Sequence, residues 1–127
     1  MGLVIVARLA VGVLLLAHGL VHLLYIAPGV TEFSADRSWL ITASARRPVE
    51  IALMAATVAA FALVAVAVWG VPRLAGMWPV LTIVACLASM ALLAAFWDTR
   101  LVAGIAIDVA LLAIAVAHPA WATRLTG

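Results

Sequence analysis

Three ionisable side chains, His18, His22 and Asp108, lie within long apolar stretches of this sequence. An Asp or Arg at the centre of a membrane helix costs roughly 2.5–3.5 kcal/mol on insertion scales, so such residues need a partner or a function. His18 and His22 are four residues apart and share one helix face. Two imidazoles at this spacing can hold one metal ion. With Asp108 and Glu50 they predict a candidate site for iron, zinc or manganese.

The same residues also fit simpler roles. Each histidine could hydrogen-bond to a neighbouring helix backbone or to Asp108 and so hold helices together. Asp108 could pair with a protonated histidine or with Arg100, relay protons or contact a ligand. Glu50 could be a first-turn carboxylate that gains from the helix dipole and pairs with Arg46 or Arg47. We favour packing or an organic-ligand pocket over a metal, because a two-histidine spacing alone is a weak motif.

The elements that position these residues are predicted from composition. Of the 127 residues, 69% are hydrophobic and 9% are charged, with a mean hydropathy of +1.34. A soluble domain is about 45–50% apolar and about 25% charged. A soluble fold of this composition would lack polar residues for its surface, a problem that lipid removes. The sequence therefore predicts an integral membrane protein, and its scattered arginines form no patch for nucleic acid.

Four apolar segments have the length of about 20 residues that a membrane-spanning helix needs. Their approximate bounds are 3–27, 48–70, 74–97 and 99–118. Pro48 suits the first position of a helix, and Asp98 or Thr99 suits the cap of the last span. Residues 28–47 are predicted to form an interfacial loop or short helix. Residues 1–127 are thus expected to form one domain, an all-α antiparallel four-helix bundle in the membrane.

Depth in the membrane brings the ionisable residues together. Below the boundary that carries the long loop, His18 lies about 13 Å deep, His22 about 8 Å and Asp108 about 10–14 Å. Glu50 enters the membrane from that same boundary, whereas His118 lies near the opposite one. His18, His22, Glu50 and Asp108 are therefore predicted to gather in one leaflet.

Two further features are assigned from residue type. The single Cys86 is expected to pack as a small apolar residue. Tyrosine and tryptophan prefer the membrane–water boundary. On this basis Tyr25, Trp39 and Trp97 are assigned to one boundary, and Trp69, Trp78 and Trp121 to the other.

The stretch from Arg8 to Tyr25 resembles the first helix of the DoxX-like family of small bacterial four-helix membrane proteins. Arg8, Gly12, His18 and Gly19 match the pattern R-L-x-x-G-x-x-x-x-x-H-G-L-x-K, and a histidine stands at position 22 in place of the usual lysine. The turn 97–100 and the aspartate at position 108 are similar to features of actinobacterial relatives with an HGLxHLL helix.

The resemblance implies a membrane partner of thiosulfate:quinone oxidoreductase or, in actinobacteria, of oxidoreductase complexes that handle oxidative and thiol stress. We therefore expect a redox-associated subunit of the bacterial cytoplasmic membrane, with an intramembrane pocket for a quinone-like or lipid ligand. The candidate ligand contacts are His18, His22, Tyr25, Trp97, Arg100 and Asp108. One alternative is a non-catalytic accessory subunit of a larger membrane complex or homo-oligomer. The other is a small proton or solute transporter.

Overall fold

Helices account for the regular structure of residues 1–126, the part of the chain that this computed structural model describes. The α-helices are α1 (Gly2–Val21), α2 (Ala43–Val68), α3 (Trp78–Ala95), α4 (Val102–Ala117) and α5 (Ala120–Thr126). Short 3₁₀ turns lie beside three of them, at His22–Ile26, Ala75–Met77 and Thr99–Leu101. The turns extend α1, α3 and α4 at the ends that face connecting segments.

Four of the resulting segments are long and apolar enough to cross a membrane. They are Gly2–Ile26, Ala43–Val68, Ala75–Ala95 and Thr99–Ala117, with hydropathy values between 2.1 and 2.6. Their apolar outer surfaces are suited to lipid rather than water. The prediction of an all-α, multi-pass four-helix bundle is confirmed.

The four spans pack as a row in chain order. The extensive interfaces join α1 to α2, α2 to α3 and α3 to α4, whereas α1 and α4 touch each other little. Accordingly, within an apolar 18-residue stretch of each span, 44% of the residues are buried in the second span and 33% in the third. The corresponding fraction is only 17% in the first and fourth spans. The second and third spans therefore form the centre, and the first and fourth form its two edges.

Contacts between the ends of neighbouring helices establish their antiparallel direction. Trp69, which caps the end of α2, donates from Nε1 to the carbonyl oxygen of Leu9, near the start of α1, at 3.3 Å. Trp78 at the start of α3 packs on His118 at the end of α4, with ring centroids 5.6 Å apart. His118 therefore lies at the boundary opposite the long loop, as expected.

Two glycines let α1 approach α2 closely. A Cβ atom at Gly12 would collide with the indole of Trp69, and one at Gly19 would collide with Phe61. Small residues at helix contacts are a common way of packing spans in lipid. These are two of the positions that match the DoxX-like pattern, and here they have a plain packing role.

The start of α2 differs from the prediction. The helix begins at Ala43, so Pro48 lies inside it and Glu50 is not in its first turn. Arg46 explains the earlier start, because its guanidinium donates to the carbonyl oxygens of Asp36, Ser38 and Ile41 and ties the loop to the helix. Pro48 is the sixth residue of the helix, beyond the first four amides that lack partners, so it removes one hydrogen bond of the helix.

The chain also continues beyond the predicted last span. His118 adopts a left-handed conformation that ends α4, close to the predicted end of the last span at residue 118, and Pro119 then leads into α5. Nε of Arg8 donates to the carbonyl oxygen of Leu125 at 2.8 Å. This bond fastens α5 to the first helix.

Two of the aromatic residues assigned to the membrane boundaries are buried in the protein. Tyr25 is 3% exposed and Trp78 is 9% exposed, whereas Trp39 and Trp121 are well exposed. Tyr25 is buried because Phe33, in the loop after the first span, packs on its ring with centroids 5.0 Å apart. The loop thus folds over this end of the bundle and covers Tyr25, while Trp78 lies at the opposite end beside His118.

Candidate functional site

A chain of hydrogen bonds connects the first, third and fourth spans. Nε2 of His18 lies 2.9 Å from Oδ1 of Asp108, and Oγ of Ser89 lies 2.5 Å from Oδ2 of Asp108. Nε2 of His22 lies 2.8 Å from Oγ of Ser89. Asp108 and Ser89 are fully buried, His22 is 2% exposed, and the His18 side chain is 12% exposed. We call these four residues the polar chain.

Local packing explains why both imidazoles point inward. His18 is in the last turn of α1, and His22 follows one turn later, so both lie on the face that Gly19 brings close to α2. Phe61 of α2 packs against both rings, with centroid distances of 4.9 Å to His18 and 6.3 Å to His22. The aromatic ring fixes their orientation from one side while Asp108 and Ser89 fix it from the other.

Proton positions in the polar chain are restricted by its geometry. Nδ1 of His22 faces the carbonyl oxygens of His18 and Gly19, at 3.1 and 3.2 Å, so it must carry a proton. The single hydroxyl proton of Ser89 can serve either Asp108 or His22, but not both. If Asp108 is ionised, His22 must be doubly protonated to keep every bond; if His22 is neutral, Asp108 must be protonated. Both arrangements hold the same number of protons.

A pocket of about 510 Å³ lies beside the polar chain. Its polar lining consists of His18, His22, Glu32 and Arg100, and most of the rest is apolar. The lining comes from the first and fourth spans and from loop residues Val30, Glu32 and Phe33, with Leu93 of α3 behind them. Ile107 and Val21, which line the pocket from α4 and α1, are each 46% exposed. The pocket therefore opens sideways, through the gap between the two edge helices, onto the apolar surface.

Arg100 lines this pocket but does not bond to Asp108. Its guanidinium donates to Oε1 of Glu32 at 2.9 Å and to Oδ1 of Asp98 at 3.1 Å, and its side chain is 57% exposed. The hydrogen bonds from the side chain and the backbone of Arg100 lower the pKa of Asp98 to about 2. Of the two predicted partners of Asp108, the structure selects His18 and not Arg100.

Three other predicted site residues do not line this pocket. Glu50 is fully buried and bonds to Arg47 at 3.3 Å, which is one of the two arginine pairings predicted for it. Tyr25 directs its hydroxyl at the carbonyl oxygen of Phe96, 3.5 Å away. Trp97 is 42% exposed and lines a separate groove near the loop.

The predicted metal set is not assembled. No three or more His, Cys, Asp or Glu side chains within residues 1–126 are arranged to hold a metal ion. Both ring nitrogens of His22 already have partners, and His18 directs Nε2 at Asp108. Glu50 bonds elsewhere. Cys86 is fully buried in the apolar core, as expected for a small apolar residue.

Ser89 is the member of the polar chain that the sequence analysis missed. Thr57 and Thr82, two other buried hydroxyls within the spans, donate to carbonyls of their own helices at 2.7 and 2.6 Å. This is the usual behaviour of a hydroxyl inside a helix. Ser89 departs from it by bonding across to two other spans. Its depth, close to that of the histidines, was the signal that could have identified it.

Comparisons with known proteins provide no guide to the site: no family model, no curated protein and no solved structure matches this chain. The resemblance to the DoxX-like family therefore stays a prediction.

Proposed function

We propose that this protein binds an amphipathic, quinone-like or lipid-like molecule within the membrane, as a ligand-binding subunit associated with redox enzymes. The observation that carries the proposal is the sideways-opening pocket of about 510 Å³ with His18 in its wall. Binding pockets for small molecules are typically of about 300–1,000 Å³, mainly apolar, with a few polar groups that orient the ligand. This pocket has that size and that composition.

His18 is the group best suited to orient a headgroup. Its Nε2 is engaged by Asp108, and its side chain is partly exposed on the pocket lining. Nδ1 has no hydrogen-bond partner among the residues that the structure describes. A hydroxyl or carbonyl group of a ligand can bond there while a ring or acyl chain contacts the apolar lining. The opening between α1 and α4 gives direct access to a molecule dissolved in the bilayer.

The redox association and the location in a bacterial cytoplasmic membrane rest on the resemblance of α1 to the DoxX-like family. The exposed faces of the first and fourth spans are available for lipid, a membrane partner or a second copy. An accessory role would use the same faces. A proton-transporting role has less support, because the polar chain ends at backbone carbonyls within α1.

Binding can be tested with a pocket-filling variant and a control on the same helix. Ile107→Trp places a bulky ring in the pocket lining. Val109→Trp adds the same ring two residues further on, at a position that is 52% exposed and outside the pocket lining. We expect a decyl-substituted benzoquinone to bind the wild-type protein in lipid nanodiscs and to lose about tenfold or more in affinity with Ile107→Trp only.

The assay is calorimetric titration, with thermal unfolding to verify that both variants are folded. Absence of binding to the wild-type protein, or an equal loss in both variants, would contradict the proposed function. Mass spectrometry of molecules that copurify with the protein identifies the natural ligand. Comigration with an oxidoreductase activity on native gels tests the redox association separately.

A further inference from the structure

The two ring nitrogens of His18 face different surroundings. Nε2 is 2.9 Å from a carboxylate oxygen of Asp108, whereas Nδ1 has no partner within residues 1–126 and belongs to a side chain that lines the pocket. In a neutral imidazole one nitrogen donates and the other accepts. When Nε2 donates its proton to Asp108, Nδ1 must therefore be an acceptor toward the ligand.

The far end of the polar chain is closed. Nδ1 of His22 donates to the carbonyl oxygens of His18 and Gly19, and its Nε2 meets Ser89. Ser89 in turn bonds to Asp108. A proton that enters at His18 can be redistributed along these bonds, but the carbonyls cannot pass it on. The polar chain can thus store a proton beside the pocket.

We infer that the gain of one proton from solvent turns Nδ1 of His18 from an acceptor into a donor, and so couples proton uptake to the binding of a carbonyl headgroup. The inference rests on the proposed function and specifies its ligand class. A proton added to Nδ1 leaves an N–H directed at the ligand, whether the added positive charge stays on His18 or the Nε2 proton moves to Asp108. A carbonyl oxygen can only accept, so it needs this form, whereas a hydroxyl group suits both forms.

The charged and titratable groups around His18 are few. Asp108 comes from α4, and α3 contributes Ser89 with the buried thiol of Cys86 three residues earlier. The second span presents the ring of Phe61, and its Glu50 is bonded to Arg47. Glu32 and Arg100 from the connecting segments pair with each other at the pocket. The groups that remain to exchange a proton with the ligand site are His18, His22 and Asp108.

A matched pair of redox-inert probes tests the inference. A decyl-substituted cyclohexanone offers a carbonyl, and the corresponding cyclohexanol offers a hydroxyl on the same ring and chain. Each is titrated calorimetrically into nanodisc-embedded protein between about pH 6 and about pH 8, a range that covers ordinary imidazole titration. Buffers of different ionisation enthalpy report the protons taken up. At the upper end of the range we expect the ketone to take up about one proton and to lose roughly tenfold in affinity per pH unit, and the alcohol to do neither.

Asp108→Asn is the control variant. Its amide can donate to Nε2 of His18, which allows Nδ1 to carry a proton without any uptake from solvent. The ketone should therefore bind this variant with an affinity that does not depend on pH. Nitrogen NMR of histidine-labelled, ligand-free wild-type protein provides a measurement that needs no variant of Asp108, with the His18 signals assigned by their loss in His18→Gln.

The outcomes separate the two proposals. If both probes bind with the same pH dependence and proton uptake, the inference is overturned and the proposed function stands. If neither probe nor the decyl benzoquinone binds, the proposed function is contradicted, and so is the inference that the ligand carries a carbonyl group. The spectra then decide the proton step alone: a proton appearing on Nδ1 of His18 as the pH falls supports it, and an unchanged pattern overturns it.

Discussion

Asp108 and Glu50 are both fully buried carboxylates in membrane-spanning helices, yet their surroundings are opposite. Both oxygens of Asp108 have partners, His18 and Ser89, on two other spans. Glu50 bonds through one oxygen to Arg47, three residues earlier on its own helix, and its Oε2 has no partner in the described part of the chain. Asp108 links three helices, whereas Glu50 bonds only to a residue of its own helix.

These different partners mark Asp108 as part of an internal site and Glu50 as part of the end of its helix. The side chain of Arg47 is 62% exposed, so Glu50 is connected to the surface of the protein, whereas the partners of Asp108 lie within the bundle. Removing one member of a buried, paired set leaves the others unsatisfied and is costly. A carboxylate that already lacks a partner has less to lose. Burial alone would have ranked the two residues equally; their partners distinguish them.

The largest effect is expected for Asp108→Leu. The substitution leaves His18 and Ser89 without their shared acceptor, and we expect a loss of about 3–5 kcal/mol in the free energy of unfolding. Asp108→Asn, which keeps the shape and one acceptor oxygen, should lose clearly less. Unfolding in mixed detergent micelles, followed by circular dichroism, measures both. A leucine variant as stable as the wild-type protein would remove the distinction between the two carboxylates.

A smaller effect is expected for Glu50→Gln. Glutamine keeps an oxygen for Arg47 and replaces the unpartnered carboxylate oxygen by a neutral amide, so stability should change by about 1 kcal/mol or less. The same unfolding assay applies, with Asp108→Asn as the matched amide substitution at the other site. If the glutamine variant lost more stability than Asp108→Asn, Glu50 would be the more important of the two buried acids.

Asp98 extends the comparison to an acid outside the spans, where the smallest effect is expected. Its pKa is lowered from 3.8 to about 2, first by the hydrogen bonds from Arg100. The bonds therefore stabilise the folded state fully above the ordinary pKa, and their contribution is lost as the pH falls through the folded-state value. In thermal unfolding experiments in detergent, the Asp98→Asn variant should lack this acid-dependent contribution to stability. The wild-type protein should lack it at high salt, since exposed pairs are screened. An identical acid response in variant and wild-type protein would contradict the assignment.

Much of this architecture could be predicted from the sequence. Long apolar runs predict spans directly, because lipid demands them, and counting depth along the spans placed His18, His22 and Asp108 in one leaflet. Their meeting follows from the cost of leaving such groups alone in hydrocarbon. The capping role of Asp98 also followed from residue type and position, since its side chain accepts from the backbone N–H of Arg100.

The parts that could not be predicted depend on contacts between distant segments. Arg46 bonds to loop carbonyls and so moves the start of α2, which changed the position of Glu50 within the helix. Phe33 folds over Tyr25 and buries an aromatic residue that its position assigned to the interface. The gap between α1 and α4 arises from the row order of the helices. All four spans are strongly apolar, and this shared composition does not encode that order.

The row has a consequence for assembly. Each extensive helix interface joins segments that are consecutive in the chain, so every span can pack on its predecessor as soon as it enters the membrane. The bond from His18 to Asp108 and the bond from Arg8 to Leu125 are different, since they span 90 and 117 residues of sequence. Both must wait for the final third of the chain. The polar chain is therefore completed among the last tertiary contacts of folding, after the apolar framework that holds it is already in place.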